Sequence, residues 1–345
     1  MQLGIIIGDE HTSVAPADHF DNLLRQVEAA QRNGFTYITI GQHFLYGDLR
    51  WLQPIPTLAR LAAEVDKNTR LVTTIVVAPL YHPVILAEEL ATLDIVSEGR
   101  LIVGAGLGYR TEEYRLLGVP FAERGARFEE ALQLMIRLWT EDRVDHHGRF
   151  WTLEDARPHV RPRQQPHMPL WLGAHKEPGV RRAARIADTW TVPPEFTPAR
   201  IAEFVEAFRD ERTKAGRPMP RGFPLRREVM LGGSREDAME RFQQRARGRY
   251  VAYAERELSS HDPETVRERF ADAVKGHVVA GTPDQVIADL TELSRAVPVD
   301  PIMVRPHWPG MSAAEVTAYL DELGRDVVPA LRALQPGIVS SPVST

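Results

Sequence analysis

The chain has 345 residues, of which 43% are apolar and 26% charged, with a formal net charge of −5 and no cysteine. That balance belongs to a folded globular protein, and no window approaches the roughly 18 uninterrupted apolar residues that a membrane helix requires. The net negative charge supplies no general attraction for nucleic acid or an anionic membrane. The missing cysteines exclude disulfides, thiolate metal sites, iron–sulfur clusters and a cysteine nucleophile, which fits a cytoplasmic location.

The first apolar run, Leu3 to Ile7, reads as a buried strand that leaves the core into the polar loop Gly8-Asp9-Glu10-His11. It has neither the basic flank nor the length of a signal peptide. Phe20, Leu23, Leu24, Val27 and Ala30 recur at helical spacing, and Asn33-Gly34 supplies the stop. A second strand, Phe35 to Ile40, runs into Gly41-Gln42-His43-Phe44. A helix over 55–66 follows Pro54, and a third strand spans Leu71 to Val77. The third helix covers 83–96, with Pro83 in its first turn. Strand four, Leu101 to Val103, leads through a glycine-rich loop to a fourth helix that buries Phe128, Leu132, Met135, Leu138 and Trp139.

Residues 143–167, with His146-His147-Gly148 and several prolines, break this rhythm as a surface excursion. It resumes with strand five (Leu170 to Leu172), a helix on Val180, Ala183, Ala184 and Ala187, strand six (Thr189 to Val192) and a helix on Ile201, Phe204, Val205 and Phe208. Strand seven is expected at Arg227 to Leu231. Residues 234–276 exceed the needs of one helix and read as a second insertion, in which the basic run Arg241 to Arg249 is a solvated face. Strand eight, Pro301 to Val304, precedes a last helix, and residues 335–345 read as a flexible tail.

Eight strand–helix alternations with right-handed crossovers close most economically into a (β/α)8 barrel over residues 1–334, with insertions after helix four and after strand seven. A doubly wound sheet is the alternative, but it would leave long open edges. In a barrel the chemistry sits at the C-terminal rim of the strands. There the sequence places Asp9, Glu10 and His11; Gln42, His43 and Phe44; Tyr81 and His82; Gly104 to Arg110; Gly173, Ala174, His175 and Lys176; Trp190 and Glu195; and Arg305, His307 and Trp308.

The run Gly104-Ala105-Gly106-Leu107-Gly108 lacks the spacing of a dinucleotide fingerprint and the acidic residue that should follow about twenty positions later. It reads instead as backbone approaching a flat ligand or a phosphate, or as a tight barrel turn. The rim histidines come without carboxylates at ligand spacing, so no metal site is expected. No G-x-S-x-G elbow occurs.

The stretch T-T-I-V-V-A-P-L-Y-H-P-V-I-L-A-E-E-L-A-T-L-D-I-V-S-E-G-R-L-I-V-G-A-G-L-G-Y-R-T-E-E-Y-R-L-L-G, with P-L-W-L-G-A, R-R-A-A-R-I-A-D-T-W and V-A-G-T-P-D-Q-V-I, resembles the bacterial-luciferase-like flavin monooxygenase superfamily. The resemblance implies an isoalloxazine ring across the barrel mouth. It also implies a non-prolyl cis peptide near Thr74-Ile75 supporting the ring, the loop Gly104, Gly106, Gly108 and Tyr109 beside it, and a phosphate met by Gly173, Ala174, His175 and Lys176.

Where luciferases carry Glu-His-His-Phe, this chain has Gly41-Gln42-His43-Phe44, so Gln42 stands at their catalytic histidine and light emission is not expected. Leu107 stands where they place a phosphate-binding arginine, with Lys176 or Arg110 to compensate. The activity implied is oxygenation of a small organic substrate with O2 and reduced FMN from a flavin reductase. His43, Gln42 and Tyr109 are then the catalytic candidates, and His11, Tyr81, Trp190 and Trp308 line the substrate side. The alternatives are an F420-dependent hydride transfer on the same barrel and a flavin-binding protein without turnover. A homodimer is the candidate assembly.

Overall fold

The alternation of short β-branched runs with amphipathic helices produces eight parallel strands: β1 (Leu3–Ile7), β2 (Tyr37–Ile40), β3 (Arg70–Thr73), β4 (Leu101–Gly106), β5 (Leu170–Gly173), β6 (Thr189–Thr191), β7 (Phe223–Arg226) and β8 (Val299–Val304). In this computed structural model, which describes residues 1–47, 49–255, 263–274, 276–308 and 310–334, they pair in the order β6-β5-β4-β3-β2-β1-β8-β7. A parallel bridge between Val192 and Leu225, with the Val192 N–H donating to the Pro224 carbonyl over 2.7 Å, brings the two ends of that order together. The result is the expected (β/α)8 barrel. The expected tail, 335–345, lies outside the described residues.

Side chains alternate across each strand, so each strand serves two cores. Ile5 and Ile7 of β1 join Leu23 and Val27 of the helix Pro16–Arg32 in the large cluster between strands and helices. Ile6 turns the other way and meets Val72, Ile102, Trp171 and Met303 inside the barrel. The predicted strand Leu71 to Val77 is in two pieces: β3 ends at Thr73, the Thr74–Ile75 peptide is cis, and Val76–Val77 resumes pairing with Ala105 and Gly106 of β4.

Strand seven is displaced from its predicted place. Glu228–Leu231 pairs in parallel with Val278–Gly281 in a separate two-stranded sheet, and Phe223–Arg226 takes the barrel position. Between them the buried Arg227 donates to the carbonyls of Pro194 (2.7 Å), Gly276 (2.6 Å) and Phe196 (3.0 Å), pinning the chain where it leaves the barrel. The polar stretch after β1 is not all loop, because Asp9–His11 forms an antiparallel ribbon with Leu49–Trp51 at the barrel mouth. The first excursion carries the antiparallel pair Val144–His147 and Thr152–Ala156. The second insertion is helical (Arg235–Glu255, Pro263–Glu268 and Phe270–Ala273) and builds a small core of its own on Phe242, Phe270 and Trp308.

Candidate active site

At the end of β2 the chain turns inward and sets His43 at the centre of a hydrogen-bonded chain. Its Nδ1 lies 3.0 Å from Glu113 Oε1, and its Nε2 lies 3.0 Å from the Tyr109 hydroxyl. The rings of Tyr46 and Trp51 stand 4.7 Å from the imidazole centroid, and only 10% of the side chain is exposed. Burial holds the imidazole below its ordinary pKa, and Glu113 opposes that shift without cancelling it. The ring is therefore neutral near pH 7, with Nδ1–H donating to the carboxylate and Nε2 accepting from the phenol.

Glu113 comes from the short helix Thr111–Leu116. Burial alone would raise its carboxyl, but hydrogen bonds from His43, the Phe44 N–H (2.9 Å) and Arg110 (3.1 Å) outweigh it and keep the group ionised. Arg110 also donates to the Phe44 carbonyl and lies 4.5 Å over the Tyr46 ring, so one arginine locks the loop that carries His43.

Gln42 points elsewhere. Its Nε2 donates to Gln53 Oε1 (2.9 Å) and to the Tyr81 hydroxyl, and its Oε1 accepts from the Val77 N–H (2.9 Å). Gln53 in turn donates to the His43 carbonyl (3.0 Å). Gln42 thus ties the segment after the cis peptide to the loop after β2, and its amide is fully engaged. Tyr81 is half-buried on this network, and burial raises its phenol pKa.

The glycines of the β4 loop have an internal reason. A Cβ on Gly104 would fall on the Thr73 carbonyl, one on Gly106 on Ile75 Cδ1, and one on Gly108, whose φ is +69°, 2.6 Å from Val77 Cγ1. All three make room for the interrupted segment 73–77, Gly104 for the Thr73 backbone and Gly106 and Gly108 for the Ile75 and Val77 side chains. Half-buried Thr74 and Ile75 stand in the mouth above them. Thr74 Oγ1, Trp51 Nε1 and Thr191 Oγ1 are withdrawn from water and lack a hydrogen-bond partner among the described residues.

Beside this, the mouth holds a charged cluster. Asp9 pairs with Arg249 and, over 2.7 Å, with Arg305, and all three side chains are almost wholly buried. Burial alone would raise the Asp9 carboxyl, but the two guanidiniums hold it far below the usual carboxylate range. Arg249 also lies 5.7 Å over the Trp51 ring, joining this cluster to the His43 wall. The basic run Arg241 to Arg249 is therefore not a solvated face throughout, because its last member turns into the barrel.

The remaining candidates divide. A Cβ on Gly173 would meet Ile75 Cγ2 at 3.5 Å, so this residue sits against the cis-peptide segment, and Ala174 is buried beneath the helix Glu177–Ile186. His175 and Lys176 are exposed, with His175 3.2 Å from Glu195. Three residues expected on the substrate side lie as follows. Trp190 is fully buried on the helix-facing side of β6, donating from Nε1 to the Ala174 carbonyl among Phe196, Phe204 and Phe223, because strand alternation turns it away from the barrel interior. Trp308 is buried edge-on to Phe242 in the core of the insertion. His11 is exposed and bonded to Ser13 Oγ (2.7 Å). Glu113, Trp51 and Arg249 were not among the expected site residues. The spacing of Arg110 and Glu113, opposite charges three positions apart at a helix start, was the available signal for the first.

Comparison with known proteins bears on the fold and the family. The chain is 34% identical over 157 residues to the oxygenase component of the flavin-dependent trigonelline monooxygenase of Acinetobacter baylyi, covering 45% of this chain and 43% of that protein. It therefore spans less than half the length of that relative. It is 28% identical over 348 residues to the F420-dependent glucose-6-phosphate dehydrogenase of Segniliparus rotundus, covering 93% and 97%. Its fold matches the oxygenating constituent of 3,6-diketocamphane monooxygenase of Pseudomonas putida, solved with FMN, at a TM-score of 0.80 and 17% identity over 98% of this chain and 100% of that one. Residues 1–299 match the model for luciferase-like monooxygenases, and the chain is an oxidoreductase belonging to that family.

Proposed function

We propose that the protein is a flavin-dependent monooxygenase that takes reduced FMN from a flavin reductase and oxygenates a small organic substrate with O2. The fit of the cofactor rests on the chemistry of the mouth. Thr74 Oγ1 and Trp51 Nε1 are buried polar atoms without partners among the described residues, and the edge of an isoalloxazine ring carries the donors and acceptors that would complete them. Gly104, Gly106, Gly108 and Gly173 pack against residues 73–77, so that Thr74 and Ile75 would hold the ring. Reduced flavin, when bound, supplies the electrons with which O2 is activated. The chain's own residues orient the ring, keep water out behind Tyr46, Trp51 and Tyr81, and hold a proton relay on Glu113, His43 and Tyr109.

The observation that carries FMN over F420 lies at the helix Glu177–Ile186. Its start offers the exposed Lys176 and at most the Glu177 N–H, since Pro178 has no N–H and those of Gly179 and Val180 bond to the Lys176 carbonyl, a cation set suited to a single small phosphate and not to a long anionic tail. The other cations of that helix, Arg181, Arg182 and Arg185, are paired with Glu177, Glu129 and Glu211, which leaves little for the longer anionic tail of F420. A second reading, F420-dependent hydride transfer, is favoured by the buried acid–base chain, since moving a hydride to or from a carbonyl needs a proton partner. The relative matched over nearly its whole length is an F420 enzyme.

The two readings separate in one experiment. The protein is titrated anaerobically with reduced FMN and with F420, then mixed with oxygen and a substrate panel. Binding of reduced FMN, followed by an oxygen-dependent absorbance change and a product one oxygen heavier, is expected. Binding of F420 without reduced FMN overturns the proposal in favour of the second reading. Binding of either without turnover on the panel leaves a cofactor-binding protein that does no chemistry.

A further inference from the structure

Both ring nitrogens of His43 are committed inside the protein, Nδ1 to Glu113 and Nε2 to the Tyr109 hydroxyl, each over 3.0 Å. Tyr46 and Trp51 cover its sides. Tyr109 is 46% exposed, whereas the imidazole is nearly closed off. Gly108, with a φ of +69° that an L side chain rarely adopts, sets the turn that brings the phenol back over His43. A molecule entering the mouth meets the phenol before it meets the imidazole.

We infer that Tyr109, not His43, is the catalytic residue that exchanges a proton with the substrate, that His43 is the buried middle link oriented by Glu113, and that the reacting substrate atom is an oxygen, of a hydroxyl or a carbonyl. This rests on reading the mouth as an oxidoreductase site and adds to it the terminal acid–base group. In the direction of proton removal, the substrate O–H breaks and an O–H forms on the phenol oxygen as the phenol's own proton passes to His43 Nε2. The imidazolium so formed faces the Glu113 carboxylate, so the buried pair ends neutral overall. Run backwards, the same transfers protonate a substrate oxygen, and no other reactant is consumed. Burial favours this arrangement because a neutral imidazole keeps its Nε2 lone pair available to the phenol.

The test uses the full chain as wild type, Tyr109→Phe and His43→Asn. In the protein without cofactor, 15N NMR of the histidines should show His43 as the Nδ1–H tautomer, and Tyr109→Phe should shift the Nε2 resonance while leaving Nδ1 in place. An Nε2 resonance unmoved by Tyr109→Phe overturns the relay whatever the activity. With cofactor and substrate, Tyr109→Phe should lower kcat roughly 100-fold or more with KM and cofactor affinity little changed. The double variant should be no slower than the worse single variant, because the two residues act as one unit. A Tyr109→Phe enzyme within about threefold of wild type, beside an inactive His43→Asn enzyme, would show that His43 meets the substrate directly. If the wild type turns over with neither reduced flavin nor F420, the oxidoreductase reading fails, while the NMR result still decides the relay.

Discussion

Arg249, on the insertion helix Arg235–Glu255, is ion-paired with Asp9 at the end of β1 across 240 positions of sequence, and both side chains are almost entirely shielded from water. Arg305 closes on the other oxygen of the same carboxylate. One buried aspartate therefore bridges two guanidiniums from distant parts of the chain and ties the insertion to the barrel mouth next to Trp51.

Removing that carboxylate should be costly. Asp9→Asn removes the carboxylate that two buried cations share, and a loss of about 3–5 kcal/mol is expected because the desolvation cost remains after that attraction is gone. Urea unfolding of Asp9→Asn, Arg249→Met and the double variant checks this. The double variant should be less unstable than the sum of the singles, since deleting both partners leaves less unpaired charge, and simple additivity would contradict the pairing.

Glu113→Gln should act through His43. The amide cannot fix the Nδ1–H tautomer or stabilise an imidazolium as a carboxylate does, so kcat should fall by roughly 10²-fold or more with KM little changed. Steady-state kinetics with the cofactor identified by titration tests this, and an equal rise in KM would point instead to a collapsed loop.

The buried His19 makes stability depend on pH. Neither of its ring nitrogens has a hydrogen-bond partner among the described residues, and burial pulls its pKa from 6.5 down to about 4. As pH falls below 6.5, the unfolded chain takes up this proton before the folded one does. The stabilisation is therefore complete above 6.5 and is lost progressively down to about 4. His43, also shifted down by burial, adds a loss of the same sign. Thermal melts between these limits should show Tm falling with pH, and His19→Leu should flatten the slope.

Two glycines should respond oppositely to alanine. At Gly106 the new methyl would fall on the Ile75 side chain under the mouth, and a loss of about 1–3 kcal/mol with weakened cofactor binding is expected. Gly248 lies exposed within the helix Arg235–Glu255 with open space at its Cβ position, so Gly248→Ala should stabilise by about 0.5–1 kcal/mol. Paired denaturation curves decide both.

Much of this protein is legible in its sequence because strands and helices each impose a local period. Leu3 to Ile7, Leu23 with Val27, and Ile201 with Phe204, Val205 and Phe208 announce themselves through neighbours two, three or four positions apart, and eight such units leave few ways to close. The rim follows from the strand ends, which is enough to put His43, Tyr109 and the Thr74–Ile75 bond at the mouth. What only the tertiary structure decided concerns direction and partnership across long separations. Trp190 and Thr191 are neighbours in sequence, yet strand alternation leaves Trp190 in the helix-facing core and Thr191 with its hydroxyl unpaired among the described residues. Arg249 ends a run that looks solvated, and only the docking of the insertion turns it onto Asp9. Local periodicity is set by backbone geometry within one element, whereas a buried charge or a relay such as Glu113, His43 and Tyr109 is set by which elements the closed barrel brings together.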